Sequence, residues 1–495
     1  MNKKIIKTDI NLVPNIINSS PDYYCTWQTQ LFATSGGEPI KQRVIICENS
    51  LFSNKKPYGW AYFYEKIRSD LLFVMDDSWD VGVSEDKADF GCLVLNGEKF
   101  PLSTKDSDNK NALKNLSTRL KSLGWKGLGG WVYAGESTNY LKGKTLDEYY
   151  IKRLQDANYS NFSLWKVDWG KRDYDIEFRK NLTKLQKEYA PNLVIEHAIT
   201  EEIVPDTDLY RTYDVPAIAS IPMTMEKLYS LLKVYKKGEG QALLNCEDEV
   251  YIASAGGFVM GVMRHPYVGN FPNGEKDRSF PKIHRNIKSK IYEVIRAVNW
   301  HKIAPAYSVD SLNTYFSDEI LTDTWRFKDK TSEIENWWFN KPAISDFISD
   351  GILKKSAVST IARNTKLPNS ESDKKGNKPF IIASLNPSGA YSIATLGRTI
   401  NRKYYIPKCN VTAFTNTSNV IGVFGEYKTL TLDTSLKVKR VLMQDLASDF
   451  AYDITSKVKI LDGKVIVDGK LISRIGKSSQ PKNDTSEPGV IIKLN

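Results

Sequence analysis

From about Tyr23 onward the sequence alternates short apolar runs with amphipathic segments, and eight of those runs break off into polar or charged residues. This alternation limits the possible folds more than any single motif does, because period-two strands alternating with period-3.6 helices build parallel βαβ units. The predicted strands are Tyr23 to Gln30, Leu71 to Asp80, Lys126 to Ala134, Asn161 to Asp168, Asn192 to His197, Leu209 to Val215, Ala242 to Val250 and Ala304 to Val309. Helices are predicted at Pro57 to Arg68, Asn111 to Leu123, Leu146 to Ala157, Tyr174 to Ala190, Met225 to Lys236 and Ile287 to His301, with a last one within Ala343 to Asn364. Eight such units imply an α/β fold, a (β/α)8 TIM barrel over residues 1–366, whose strand ends share one mouth. An open doubly wound sheet would carry a glycine-rich phosphate turn after its first strand, and Ser35-Gly36-Gly37 lacks that GxGxxG spacing.

Tryptophan divides the chain. All eleven lie between Trp27 and Trp338. Beyond a polar linker at 367–378, short alternating runs such as PFIIASL and KVIVDGKLI are separated by glycine and asparagine, which predicts a C-terminal antiparallel β-sandwich over 379–495. The net charge of +11 is spread as lysine without an arginine-rich block, so a nucleic-acid partner is not expected. Five cysteines without a CxxC, namely Cys25, Cys47, Cys92, Cys246 and Cys409, fit a reducing compartment and no structural zinc. The start MNKKIIKTDI lacks a signal-peptide core and no apolar run reaches membrane-spanning length. A cytoplasmic protein without a membrane partner is therefore expected, or a secreted one if a leader has been removed; a homo-oligomer is left open.

Chemistry concentrates at the predicted strand ends. NFSLWKVDWG carries Lys166 and Asp168 two residues apart, hence on one face of a strand, where the ammonium keeps the carboxylate ionised. Asp76 and Asp77, Glu196, and Asp214 close other strands, and in a barrel they would converge. Glycosidic cleavage needs one ionised and one protonated carboxyl; Asp168 suits the first role and Asp214, beside Tyr213, Val215 and Pro216, the second. Trp27, Trp79, Trp131 and Trp169 offer faces for sugar C–H surfaces, although Trp131 and Trp165 also fit core packing. His197 reads as a structural histidine rather than a catalyst. A lysine inside the acidic cluster and only four histidines argue against a metal, and no cofactor is implied.

MDDSW, WKVDWG and RTYD, at the second, fourth and sixth strands, resemble the retaining α-galactosidases of glycoside hydrolase families 27 and 36, the melibiase-like clan. The resemblance covers Tyr23 to about Pro368 and extends to a C-terminal sandwich. It implies that Asp76 and Asp77 bind galactose hydroxyls, that Lys166 contacts the sugar and that Asp168 is the nucleophile. It further implies that Arg211 contacts the sugar, that Asp214 is the acid/base, that Trp27 lines the site and that Glu196 senses the substituent at C2. In RTYD the arginine-to-aspartate interval is one residue shorter than is usual in family 27, and Glu196-His197 replaces the usual stretch. The expected activity is removal of terminal α-D-galactosyl residues, or of β-L-arabinopyranosyl or α-N-acetylgalactosaminyl relatives, from an oligosaccharide. A catalytically silent carbohydrate-binding barrel and a transglycosylase using the same intermediate are the alternatives.

Overall fold

The computed structural model describes residues 5–36, 39–55, 59–83, 89–212, 219–235, 240–276, 285–309, 313–326, 348–349 and 352–495. Its first half is built on eight parallel strands: β1 (Tyr23–Cys25), β2 (Leu72–Met75), β3 (Gly127–Val132), β4 (Phe162–Val167), β5 (Val194–His197), β6 (Leu209–Arg211), β7 (Leu243–Asn245) and β8 (Gly261–Val262). They pair in the order β7-β6-β5-β4-β3-β2-β1-β8. The ring closes just before β8, where the Cys246 N–H donates to the Val259 carbonyl at 2.9 Å and the Val259 N–H to that of Leu244 at 2.8 Å. The fold is thus a (β/α)8 barrel.

Strand alternation decides what faces where. Tyr23 and Cys25, Leu72 and Val74, Leu164, Leu209 and Val259 form a small apolar plug of their own inside the barrel. Their neighbours Tyr24, Phe73, Trp165, Ile195 and Tyr210 face outward into one large core shared with the helices. Those helices are α1 (Trp27–Ala33), α2 (Asn109–Ser122), α3 (Leu146–Tyr159), α4 (Ile176–Tyr189), α5 (Ser220–Val234), α6 (Val250–Gly256) and α7 (Ile291–His301). Local chemistry fixes several starts: Asp108 caps α2, Asp175 caps α4, and Thr145 with Glu148 forms a capping box on α3. No helix among the described residues is long and apolar enough to cross a membrane.

Several expected segments differ: Trp27 to Gln30, expected to end the first strand, opens α1, and Val250, expected to end the seventh, opens α6. The eighth strand is Gly261–Val262, not Ala304 to Val309. A Cβ at Gly261 would lie 2.5 Å from the Tyr23 hydroxyl, so only glycine lets the closing strand approach β1. Ala304 to Val309 cannot serve instead: Pro305 lacks a donor, and Arg363 takes the carbonyls of Tyr307 and Ser308. The helix expected at Pro57 to Arg68 consists, where described, of two single turns, Trp60–Tyr62 and Arg68–Asp70. The helix expected within Ala343 to Asn364 is replaced by strands Ile352–Val358 and Thr360–Arg363, as the β-branched Val358, Thr360 and Ile361 favour. The stretch expected as a linker contributes Asn369–Ser370 as an edge strand paired with Val411–Thr412.

The C-terminal half is a sandwich of a nine-stranded and a five-stranded sheet, with Ile381, Ile393 and Ile421 meeting Val411, Leu430 and Val465 between them. It is mostly antiparallel, but three pairs run parallel, including Tyr391–Leu396 with Val420–Phe424. The nine-stranded sheet also takes in Thr314–Phe316 and, at its far edge, Ile6–Lys7, paired with Tyr452–Asp453. Its other face packs on α6 and α7: Phe424 meets Tyr251 and Trp300, and Ser384 and Ser392 both donate to the Ala255 carbonyl.

Candidate active site

The C-terminal strand ends bring the predicted polar residues together. On β4, Leu164 belongs to the apolar plug, and Lys166 and Asp168 follow it at the period of two on the inner side. Lys166 Nζ lies 2.6 Å from Asp76 Oδ2 and 4.0 Å from Asp168 Oδ2. Arg211, at the end of β6, places Nη2 2.7 Å from Asp168 Oδ1, while the Trp131 indole donates to Asp168 Oδ2 at 3.0 Å. Burial works to raise the Asp168 pKa, but Arg211, Lys166 and the Trp131 hydrogen bond outweigh it and hold the carboxyl below its ordinary range. Burial likewise pulls against the charge on Lys166, and Asp76 more than restores it. The result is a buried carboxylate kept ionised at the barrel mouth.

Arg211 is the hub beneath. It is 1% exposed, and its Nε lies 3.7 Å from Glu196 and its Nη1 3.6 Å from Glu247. Glu196 accepts from the Tyr23 hydroxyl at 2.9 Å and from Asn245 Nδ2 at 2.7 Å, and it is fully buried. Burial raises its pKa, partly opposed by Arg211. With one such bond on each oxygen, Glu196 is held firmly in the inner wall of the site. His197 is also structural: its ring is buried between Arg179, at 2.9 Å, and Thr183, at 3.1 Å. Burial and the Arg179 charge keep it neutral.

The second-strand pair divides. Asp76 is buried, accepting from Lys166, from the Cys25 thiol at 2.8 Å and from the Asp77 N–H at 2.8 Å. Asp77 is half-buried; the Ser78 hydroxyl donates to its Oδ1 at 2.6 Å, and burial pushes its pKa up to about 7. Among the tryptophans, Trp169 is 39% exposed and forms an aromatic group with Phe90, Trp131 and Tyr133. Trp131 and Trp79 are buried, and the Trp79 indole donates to the Trp131 carbonyl, so Trp131 serves the site by holding Asp168. Trp165 is core. Trp27 opens α1 rather than closing β1, and packs half-buried against the apolar plug.

Asp214, the expected acid/base, lies outside the described residues. Cys25, Tyr23, Asn245 and Glu247 belong to the site although the motifs did not single them out. Glu247 had a signal, since it stands among the acids that end the seventh strand; Tyr23 and Cys25 share alternate positions with nothing polar to mark them.

No family model and no curated protein matches the chain. Among solved structures it is similar to a glycoside hydrolase family 27 β-L-arabinopyranosidase from Geobacillus stearothermophilus, at 10% identity over 96% of each chain with a TM-score of 0.41. It is also similar to a candidate α-galactosidase from Bacteroides fragilis, at 13% identity over 63% of this chain and 70% of that one, TM-score 0.36. A third is an Anoxybacillus α-amylase, at 10% identity over 96% and 97% of the two chains, TM-score 0.38. At these levels of similarity the barrel stands on its own strand register, and the chemistry on the side chains at its mouth.

Proposed function

We propose that this barrel is a retaining exo-glycosidase that removes a terminal α-D-galactosyl residue, or a β-L-arabinopyranosyl or α-N-acetylgalactosaminyl relative, from an oligosaccharide. The observation that carries the reading is Asp168, a buried carboxylate held ionised by Arg211 and Lys166 with aromatic rings beside it. In this reading Asp168 attacks the anomeric carbon while Asp214 protonates the departing oxygen. The glycosyl–enzyme ester then yields to a water that Asp214 deprotonates. The assignment of Asp214 rests on its place in RTYD, three residues after Arg211. Asp77 supplies a charged acceptor for the axial O4 of a galacto-configured ring, and a glucoside would leave that acceptor without its donor.

The test is a panel of p-nitrophenyl glycosides, with the first-formed product anomer followed by NMR. Release of the α-anomer from an α-galactoside is the expected result, and the β-anomer would mean inversion. Binding of galactose without turnover of any glycoside would establish the silent carbohydrate-binding barrel. Transfer of the sugar to an added alcohol in preference to water would make the protein a transglycosylase.

A further inference from the structure

The turn that carries Asp77 is backbone-strained and held from several sides. Ser78 is fully buried and adopts φ +75°, a left-handed conformation that a non-glycine residue keeps only when its surroundings enforce it. The Asp77 N–H donates to Asp76 Oδ1, its carbonyl accepts from Gln30 Nε2 at 3.2 Å, and the Ser78 hydroxyl donates to its carboxylate. The Ser78 carbonyl accepts from Lys99 Nζ at 2.5 Å. Lys99 arrives from the loop after β2, where its own N–H donates to Asn96 Oδ1 and its carbonyl accepts from the Glu48 N–H.

Lys99 is only 3% exposed, and its ammonium donates to the neutral Ser78 carbonyl. Burying a charge against a neutral carbonyl is costly, and an apolar side chain would fill the same space at less cost. The ionisable groups that act on it are Asp80, Asp77, Cys47 and Arg43, and those that act on Asp77 are Asp76, Asp80 and Arg43. Asp80 gives one oxygen to the Leu93 N–H, and its other oxygen is buried without a hydrogen bond among the described residues.

We propose that Lys99 is a positioning residue: it locks the Asp77–Ser78 turn through the Ser78 carbonyl, and so holds the Ser78 hydroxyl on the Asp77 carboxylate and that carboxylate available to a sugar hydroxyl. The proposal deepens the glycosidase reading and rests on it for the identity of the sugar, while the tie between Lys99 and Asp77 stands independently. Burial brings Lys99 down to about 8 and Asp77 up to about 7, so the pair changes charge close to neutrality.

Two measurements test it. In the first, protein labelled with [γ-13C]aspartate is titrated, with the Asp77 resonance identified by its loss in Asp77→Asn. The Asp77 midpoint should move to higher pH in Lys99→Met, partly in Lys99→Gln, which keeps a donor without the charge, and hardly at all in Lys99→Arg. A midpoint that is unchanged in both Lys99→Met and Lys99→Gln would overturn the proposal, whether or not the protein cleaves glycosides. In the second, Lys99→Met should raise KM for an α-galactoside by roughly tenfold with kcat within about threefold, and should cost nothing further in an Asp77→Asn background. An equal loss in both backgrounds would make Lys99 a structural residue with no route through Asp77. Should the wild-type protein cleave no glycoside, the functional reading fails while the carboxyl titration still decides the role of Lys99.

Discussion

Asp168 and Asp77 show how two carboxyl groups at one barrel mouth come to behave differently. Asp168 is buried but doubly paired, and it stays charged; Asp77, with no ion pair among the described residues, is pushed up by burial to about 7. On the proposed retaining mechanism, Asp168→Ala should lower turnover at least about 10³-fold, and azide should restore cleavage of an activated galactoside with inverted product. Restoration with retained configuration would place the nucleophile elsewhere. Asp214→Ala should spare substrates with good leaving groups while losing natural ones, and equal loss of both would leave the two roles unseparated. Asp77 also makes a stability prediction. Its folded pKa lies above that of an unfolded aspartate, so its contribution is complete at acid pH and is lost as pH rises through about 7. The Tm of Asp77→Asn relative to wild type should therefore climb by roughly 1–3 °C between pH 5 and pH 8. A difference that stays flat across that range would mean Asp77 is as well solvated as in the unfolded chain.

Four strands, β4 to β7, meet through the single guanidinium of Arg211, which faces Asp168, Glu196 and Glu247. Arg211→Met removes the common cation and leaves those acids buried together, which should destabilise the barrel by about 3–5 kcal/mol. A chemical-denaturation midpoint within error of wild type would show that the acids re-pair without it. The elements themselves were largely legible in sequence: six of the strands have their starts and faces set by apolar alternation, and Lys166 and Asp168 fall where a period of two requires. What escaped was decided by contact across the fold. β8 is two residues long and owes its existence to the space that Gly261 leaves beside Tyr23. The braces Tyr23 and Asn245 become part of the site only once the closed barrel aims them at Glu196. A helix expected near residue 350 yields to strands, because an adjoining sheet supplies partners that local spacing cannot reveal.

At the scale of the whole molecule, barrel and sandwich share one packed surface. Arg296 of α7 makes a two-pronged ion pair with Asp445, at 2.8 and 3.2 Å, and both are fully buried. Gly422 lies so close to Trp300 that a Cβ there would stand 2.8 Å from the indole. Gly422→Val should therefore lower Tm while the barrel and sandwich continue to melt in a single calorimetric transition; two separated transitions would show that the halves are energetically independent. The strand order also dictates a schedule. Gly489–Leu494 lies in the middle of the nine-stranded sheet, between Val420–Phe424 and Val441–Asp445, and Ile6–Lys7 at one edge waits for Tyr452–Asp453. On a ribosome adding 5–20 residues per second, Ile6 is made roughly 20–90 s before its partner. The sheet lacks this interior strand until Gly489–Leu494 has left the exit tunnel, so the face that covers α6 and α7 is assembled only after those residues have emerged, and a nascent chain must be kept from aggregating until then.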